Sequence, residues 1–432
     1  MSNIINFFNN YKKKFIYNCF QKKIAFDHHK DNKINIFYMH HDTKQSGSLI
    51  SLVEIIKRIS QNKKFRISAC NIRTDSKINL SNLGIKSYNF RFIPKLNLTS
   101  HGQHTGRRIF IFFTELAFIP FLLIQLLYIK IYKKEKFEII HANESVLVLS
   151  GLIAKCIFNS KLILHIRSRQ NKNLISNIFY KKIFNYVDLF IAIDEFTKET
   201  LPKPYINKCI IIYNTQSISN NISKKSDSSK SPFFNIGYAG AFTEDKGVMN
   251  SLMSIRNLII NKNLNINFYL AGYNVRETRN ILLKFLYKFF KVSFNQSDKY
   301  IEFIKKNNLE KNFVYLKRVK NMKIFYNNIH LNLFTSTLNA YNRSIFEAAH
   351  FNIPSLISLN CKNKYGLRNN KNIFIIKNQN IQEIEKMIER LNFNRELVSA
   401  VGKEAKNFFK NKHDINKNIL KLEDIYLTIT TL

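Results

Sequence analysis

Pro354 does most to limit what this chain can fold into. It closes the segment Phe334 to Ser358, which reads FTSTLNAYNRSIFEAAHFNIPSLIS. Leu331, Leu333 and Phe334 end a short apolar strand, Thr335 to Asn342 is polar loop, and Arg343 to Phe351 carries helical spacing. Proline lacks an N–H and clashes with the preceding turn, so the helix must stop before it. Asn352 suits the left-handed residue that closes such a helix. Leu356, Ile357 and Leu359 then restart as a strand, giving a strand, loop, helix, strand unit. In an open parallel sheet, a loop leaving the carboxyl end of a strand faces the crevice where ligands bind. Arg343 and Glu347 stand one turn apart on the same helix face. Two readings follow: both side chains meet one ligand, or they form a plain i, i+4 ion pair on a buried helix.

The rest of the chain repeats the same alternation. Ile34 to Met39 reads as the first strand, followed by a polar turn, Gly47 and a helix from Ser48 to Ile59. From Phe137 onward strands at Glu138–His141, Leu162–Ile166, Leu189–Ile193 and Cys209–Tyr213 alternate with helical stretches, which argues for a parallel, doubly wound sheet over residues 33–214. Gln216 to Pro232 is rich in Ser, Asn and Lys without apolar periodicity and reads as a linker. A second series covers 233–412: strands at Asn235–Ala239, Ile266–Ala271 and Phe313–Leu316, a helical insertion at Val275–Asn308, the opening segment, Ile373–Ile376, and two more helices. A last amphipathic helix, 413–432, finds no partner in its own sheet. Residues 1–32 are basic and aromatic, compatible with a loose helix or a membrane-surface arm.

Charge narrows the partners. Lys and Arg number 68 against 29 Asp and Glu, a formal +39, yet the basic residues are spread along the chain. Abundant Lys, Asn, Ile and Phe, with few Gly and Pro, are also what AT-rich coding favours. The pattern therefore speaks against nucleic acid and for phosphorylated substrates or an anionic membrane surface. Cys19, Cys70, Cys156, Cys209 and Cys361 show no disulfide or zinc spacing, which fits a reducing compartment. The amino terminus does not read as a secretory signal. Ile109 to Ile131 is long enough to span a bilayer. Glu115, Pro120 and Gln125 interrupt it and lysines follow it, so helices packed in the domain or lying in the membrane interface are preferred.

Ordered together, GYAGAFTEDKG (Gly237–Gly247), YLAG (Tyr269–Gly272), VYLKRV (Val314–Val319) and RSIFEAAHFNIP (Arg343–Pro354) resemble the carboxyl half of glycosyltransferase family 4. HAN (His141–Asn143), LHIRS (Leu164–Ser168), DLFIAIDEF (Asp188–Phe196) and IIYN (Ile211–Asn214) resemble its amino half. The resemblance implies an α/β GT-B fold, two Rossmann-like doubly wound domains facing across a cleft. It also implies a terminal helix that returns to the first domain. The implied activity is retaining, metal-independent transfer of a sugar from a nucleotide-sugar donor, which is substrate rather than cofactor. The implied acceptor is a growing cell-surface glycan, such as lipopolysaccharide, capsule or a lipid-linked oligosaccharide. A cytoplasmic protein, peripheral on the inner face of the membrane, is expected.

Residue by residue, the resemblance places Glu347 on the ribose hydroxyls and Lys246 on the diphosphate. His165 would meet the donor sugar or its phosphate. Gly47, Gly240 and Arg318 fall in the donor set, and Arg167 is assigned to acceptor phosphate. Asn143 and Asn214 are expected to tie loops through side-chain-to-backbone bonds. Two departures stand out. Asn339 occupies the place of a second glutamate that touches sugar hydroxyls, and Ala241 the place of a phosphate-loop arginine. Arg343, at the helix start, is expected to replace that missing cation. A nucleotide-sugar epimerase or a non-catalytic partner protein are the alternatives.

Overall fold

The computed structural model describes residues 33–41, 47–70, 83–99, 109–171, 174–214, 231–273, 278, 280–290, 292, 294–317, 319, 321–336, 342–360, 364–377 and 380–431. The basic amino-terminal arm, most of the linker, Arg318 and Asn339 lie outside these residues.

The strands are β1 (Ile34–Met39), β2 (Phe65–Cys70), β3 (Lys86–Tyr88), β4 (Ile139–Ala142), β5 (Lys161–Ile166), β6 (Leu189–Ala192), β7 (Cys209–Ile211), β8 (Phe234–Ala241), β9 (Ile266–Tyr273), β10 (Phe313–Tyr315), β11 (Leu331–Phe334), β12 (Ser355–Ser358) and β13 (Phe374–Ile376). They form two sheets, ordered β3-β2-β1-β4-β5-β6-β7 and β10-β9-β8-β11-β12-β13. Every pairing within these sheets is parallel. Helices cover both faces of such sheets, so their strands are apolar runs rather than alternations. Ile36 to Met39 in β1 and Ile139 and Ile140 in β4 are fully buried for this reason. Both sheets reverse strand direction of travel at their middle, between β1 and β4 in one and between β8 and β11 in the other. Those reversals open crevices at the carboxyl strand ends.

The sequence reading passed over β2 and β3. The expected insertion at 275–308 contains two helices, Ile281–Phe289 and Ser297–Lys306.

The helices that bear on the site are α1 (Gly47–Ile59), α2 (Ile109–Leu116), α3 (Ile119–Ile131), α4 (Val248–Ile260), α5 (Ile281–Phe289), α6 (Arg343–His350), α7 (Arg395–Lys412) and α8 (Ile415–Thr431). The terminal helix α8 spaces Ile419, Leu422, Ile425, Tyr426 and Ile429 along one face. That face packs with Ile36 and Tyr38 of β1 and with Leu52, Ile56 and Ile59 of α1, in the first sheet's core. Each such side chain contributes roughly 1.5–3 kcal/mol on burial, enough to hold a helix of this length against the fold that began some 380 residues earlier.

Phe110–Ile131 is one helical stretch long and apolar enough to cross a membrane. In the structure it breaks into α2 and α3 near Pro120. Leu122, Leu126 and Ile129 sink into the first sheet's core. Its polar residues face the protein: Glu115 Oε2 accepts from the Lys95 amide at 2.9 Å and Gln125 Oε1 from the Arg91 amide at 3.0 Å. Phe113, Phe121, Ile124, Leu127, Tyr128 and Ile131 remain outward.

Pro354 acts as the spacing predicts. Asn342 caps α6 by accepting from the Arg343 amide at 2.7 Å, and Asn352 takes a left-handed φ of 58° before the proline. This turn is braced by α7, whose Gly402 approaches so closely that a Cβ there would lie 2.0 Å from Asn352 O. The carbonyl belongs to a residue fixed by the turn and cannot yield. Gly402→Ala is therefore expected to destabilise the protein by about 1–3 kcal/mol or more, seen as a lower urea midpoint; an unchanged midpoint would contradict this packing.

Candidate active site

On the second sheet's side the crevice is built by two loops that follow the neighbouring strands β8 and β11. Thr335 Oγ1 donates to Gly247 O at 3.0 Å and shares a hydroxyl contact of 2.9 Å with Ser251. Ser336 Oγ donates to Asp245 O at 3.0 Å. Gly247 has φ 71°, and a Cβ there would stand 2.0 Å from Thr335 O, so only glycine lets the loops meet. The stitching holds Lys246 at the mouth, its Nζ 3.6 Å from Asp245 Oδ2 and 5.9 Å from the Phe334 ring centre. That leaves a partly exposed cation whose ion pair, among the described residues, is no closer than 3.6 Å.

Helix α6 carries Arg343 and Glu347. Arg343 Nε donates to Glu347 Oε1 at 2.6 Å. Its Nη1 reaches across to Ser51 Oγ of α1 at 2.9 Å, and Nη2 lies 3.9 Å from Glu54 Oε1. Burial works against the guanidinium's charge, but Glu347 and Glu54 outweigh it and raise its pKa. Arg343, expected to stand in as a phosphate cation, thus spends two of its five N–H donors on a carboxylate and a hydroxyl and sets a second carboxylate beside its Nη2. The ion-pair reading of residues 343 and 347 is realised, with the addition that the pair joins the two halves. Tyr326 donates to the other oxygen, Glu347 Oε2, at 3.0 Å. Each carboxylate oxygen keeps lone-pair capacity beyond these bonds, so hydroxyl donors of a ligand can still be accepted.

On the first sheet's side, Arg167 follows β5. Its Nε donates to Asn143 O and Oδ1 at 2.9 and 3.1 Å, Nη2 to Asn143 Oδ1 at 2.8 Å and Nη1 to Asn214 Oδ1 at 2.7 Å. Burial pulls its pKa down to about 10. Expected at acceptor phosphate from the sequence, it clamps the loops here, and Asn143 and Asn214 turn their side-chain oxygens to it rather than to backbone. With Asn143 Oδ1 so occupied, Asn143 Nδ2 faces His40 Nδ1 at 3.1 Å and must donate. The proton of neutral His40 therefore sits on Nε2, which is buried and unpaired among the described residues. His165 at the end of β5 is likewise buried with an unpaired Nε2. His41 and Glu144 close the rim through a 3.0 Å contact. Burial would raise the Glu144 carboxyl, but His41 and a bond from Ser48 bring it to about 2.

Gly47 opens α1, and a Cβ there would meet nothing within 4 Å among the described residues. Gly240 lies in β8 beside the Tyr238 hydroxyl. Among the described residues no cluster of three or more His, Cys, Asp or Glu side chains could hold a metal.

Two parallel sheets with crevices at their switch points have counterparts among solved structures. Anabaena HepE, solved with UDP and glucose, superposes with a TM-score of 0.66 at 15% identity, covering 92% of this chain and 100% of that one. The fold is GT-B. Sucrose-phosphate synthase from Thermosynechococcus elongatus matches this GT-B chain with a TM-score of 0.69 at 12% identity, over 92% of this chain and 100% of its own. The lipopolysaccharide outer core galactosyltransferase WaaB, in apo form, gives 0.55 at 12% identity over 92% and 99%. Residues 219–408 match the family described as glycosyl transferases group 1. No curated protein matches the sequence.

His40 and Tyr426 carry no sequence signal, and His141 only its place in HAN; sheet order sets His141 against His165, and the docking of α8 brings Tyr426 to His141. Burial lowers the pKa of His40 and His141 to about 3 and that of His413 to about 4. All three stay neutral in the fold while their unfolded counterparts protonate near 6.5, so stability present at neutral pH is lost as pH falls below about 6.5. Asp194, pushed up to about 6 by burial, works the other way and offsets part of this. The expected loss is on the order of 1–2 kcal/mol per histidine by pH 5, read as a falling urea midpoint; a midpoint unchanged from pH 7 to pH 5 would contradict it.

Proposed function

We propose that the protein transfers a sugar from a nucleoside diphosphate sugar to a growing cell-surface glycan or lipid-linked glycan, with retention at the anomeric carbon. The observation that carries this reading is the group 1 match over residues 219–408, because that segment contains Lys246, Arg343 and Glu347. As the sugar departs, negative charge accumulates on the leaving diphosphate. A fixed cation and the positive end of α6 stabilise it without having to reorganise, the arrangement catalysis of this kind needs. Lys246 supplies the cation. Glu347, with oxygens still able to accept, takes the ribose hydroxyls. The Nε2–H of His40 and the Nε2 of His165, both unpaired among the described residues, face the donor from the opposite sheet. A uridine nucleotide is favoured because HepE is solved with UDP and with UDP-glucose.

An anionic membrane surface is the proposed workplace, at the inner face of the cell membrane. The outward face of α2 and α3 supports it: Ile124 is 66% and Phe110 63% exposed, far from the usual fate of such residues. Lys133 lies over the Tyr128 ring at 5.6 Å, where it can meet lipid phosphate while the ring enters the interface. Helix α5, ILLKFLYKF, adds a second apolar surface, with no residue of it buried among the described residues.

Two tests follow. UDP or a UDP-sugar is expected to raise the melting temperature of the full-length protein, and Lys246→Ala to weaken that binding about tenfold or more, ~1.4 kcal/mol. No shift with uridine, guanosine or cytidine diphosphate sugars would point to a non-catalytic protein, and turnover without acceptor to an epimerase. Vesicles containing anionic lipid are expected to float the protein in low salt, and the double change Phe121→Asp with Ile124→Asp to abolish flotation; binding indifferent to lipid charge would reject the membrane reading.

A further inference from the structure

Behind His165 runs a chain of hydrogen bonds that ends on the terminal helix. Tyr38 Oη and Tyr426 Oη are 2.6 Å apart, Tyr426 Oη and His141 Nδ1 are 2.7 Å apart, and His141 Nε2 and His165 Nδ1 are 3.2 Å apart. All four side chains are essentially excluded from solvent. Burial raises both phenols and lowers both imidazoles, so every member is neutral and each carries a single mobile proton. Such a chain can run continuously in two senses; a third order, with Tyr426 accepting on both sides, strands the Tyr426 proton together with a bare His165 Nε2 and so also leaves two groups unsatisfied. If protons point away from the cleft, Tyr426 donates to Tyr38, and the Tyr38 proton has no acceptor among the described residues. His165 Nε2 is then a bare lone pair as well, so two buried groups go unsatisfied. If protons point toward the cleft, Tyr38 donates to Tyr426, Tyr426 to His141 Nδ1, and His141 Nε2–H to His165 Nδ1. The one group left over is a proton on His165 Nε2. An unmade buried hydrogen bond costs about 1–3 kcal/mol, so the second ordering wins by roughly one such unit.

We infer that Tyr426, on the helix that returns from the second half of the chain, is a positioning residue that fixes the proton of His165 on Nε2, so that the cleft presents two imidazole N–H donors, His40 and His165, to oxygen acceptors of a ligand. Both histidines then carry their proton on the same ring nitrogen through different devices. For His40 the device is the Asn143 amide locked by Arg167; for His165 it is the phenol of Tyr426. Strands β1 and β5 flank β4, so the two histidines stand about two strand spacings apart, on the order of 10 Å. That separation suits two oxygens of an extended ligand, such as a sugar hydroxyl and a phosphate oxygen, rather than one oxygen shared between them. The chain also makes the first half's donor depend on a residue that is 261 positions further along (426 against 165) and arrives only when α8 docks.

The functional consequence rests on the reading of this cleft as a donor site; the proton position does not. Full-length protein labelled with ¹⁵N-histidine reports it directly, because protonated and bare imidazole nitrogens resonate far apart, and His165→Gln identifies the signal. In the wild type His165 is expected to carry its proton on Nε2. Tyr426→Phe removes the bias and should give a mixture of tautomers, together with a fall in kcat/KM for nucleotide sugar of about tenfold. Tyr38→Phe deletes an equally buried hydroxyl but leaves Tyr426 free to donate, so the His165 signal should stay as in the wild type. A purely structural role would move neither tautomer. A wild-type proton on Nδ1, or a Tyr426→Phe spectrum identical to wild type, would overturn the inference. Expected tautomers in a protein that turns over no nucleotide sugar would support the relay while overturning the donor-site reading.

Discussion

One buried guanidinium ties the two halves of this molecule together at the mouth of the crevice. Arg343 comes from the helix after β11, yet its partners are Glu347 on its own helix and Ser51 and Glu54 on α1 of the other half. A cation with a side chain only 17% exposed is tolerable only when its charge and donors are matched. Two carboxylates and a hydroxyl do that here, one carboxylate from each half. The same contact explains why burial does not lower its pKa.

Around that joint the fold places its chemistry where parallel sheets leave their backbone ends open. The reversal between β8 and β11 puts the Lys246 loop beside the loop that leads to α6, and the hydroxyls of Ser251, Thr335 and Ser336, one donated bond each, hold the two together. The reversal between β1 and β4 does the same for His40, His41, Asn143 and Glu144. Helix α8 then braces the first half from behind, packing on β1 and α1 and placing Tyr426 against His141. Cation, carboxylate and imidazoles are thus each held by rigid elements rather than by free loops, the condition under which fixed charges are most effective.

Much of this was legible in the residues. Pro354 with Asn352, the alternation of apolar strands with helical stretches, and the spacing of Arg343 and Glu347 fix local structure, and local structure is what short-range sequence encodes. The strands Lys86–Tyr88 and Phe65–Cys70 were passed over, the first because it is three residues long with two exposed, so edge pairing rather than pattern defines it. The fate of Arg343 was half visible: the i, i+4 partner follows from helix geometry, while Ser51 lies 292 residues away and needs the tertiary fold. The partners of Arg167 were hidden for a related reason: nothing local in the sequence shows that Asn143 and Asn214 would reach its guanidinium. Tyr426, 285 residues from His141, could not be paired with it by any local rule.

A crystal structure of the full-length protein with bound UDP-sugar would decide the account most directly. The diphosphate should lie against Lys246 and the first turn of α6, with the ribose hydroxyls on Glu347 and the sugar toward His165. A nucleotide seated elsewhere, with Lys246 and Glu347 untouched and the crevice empty, would contradict it.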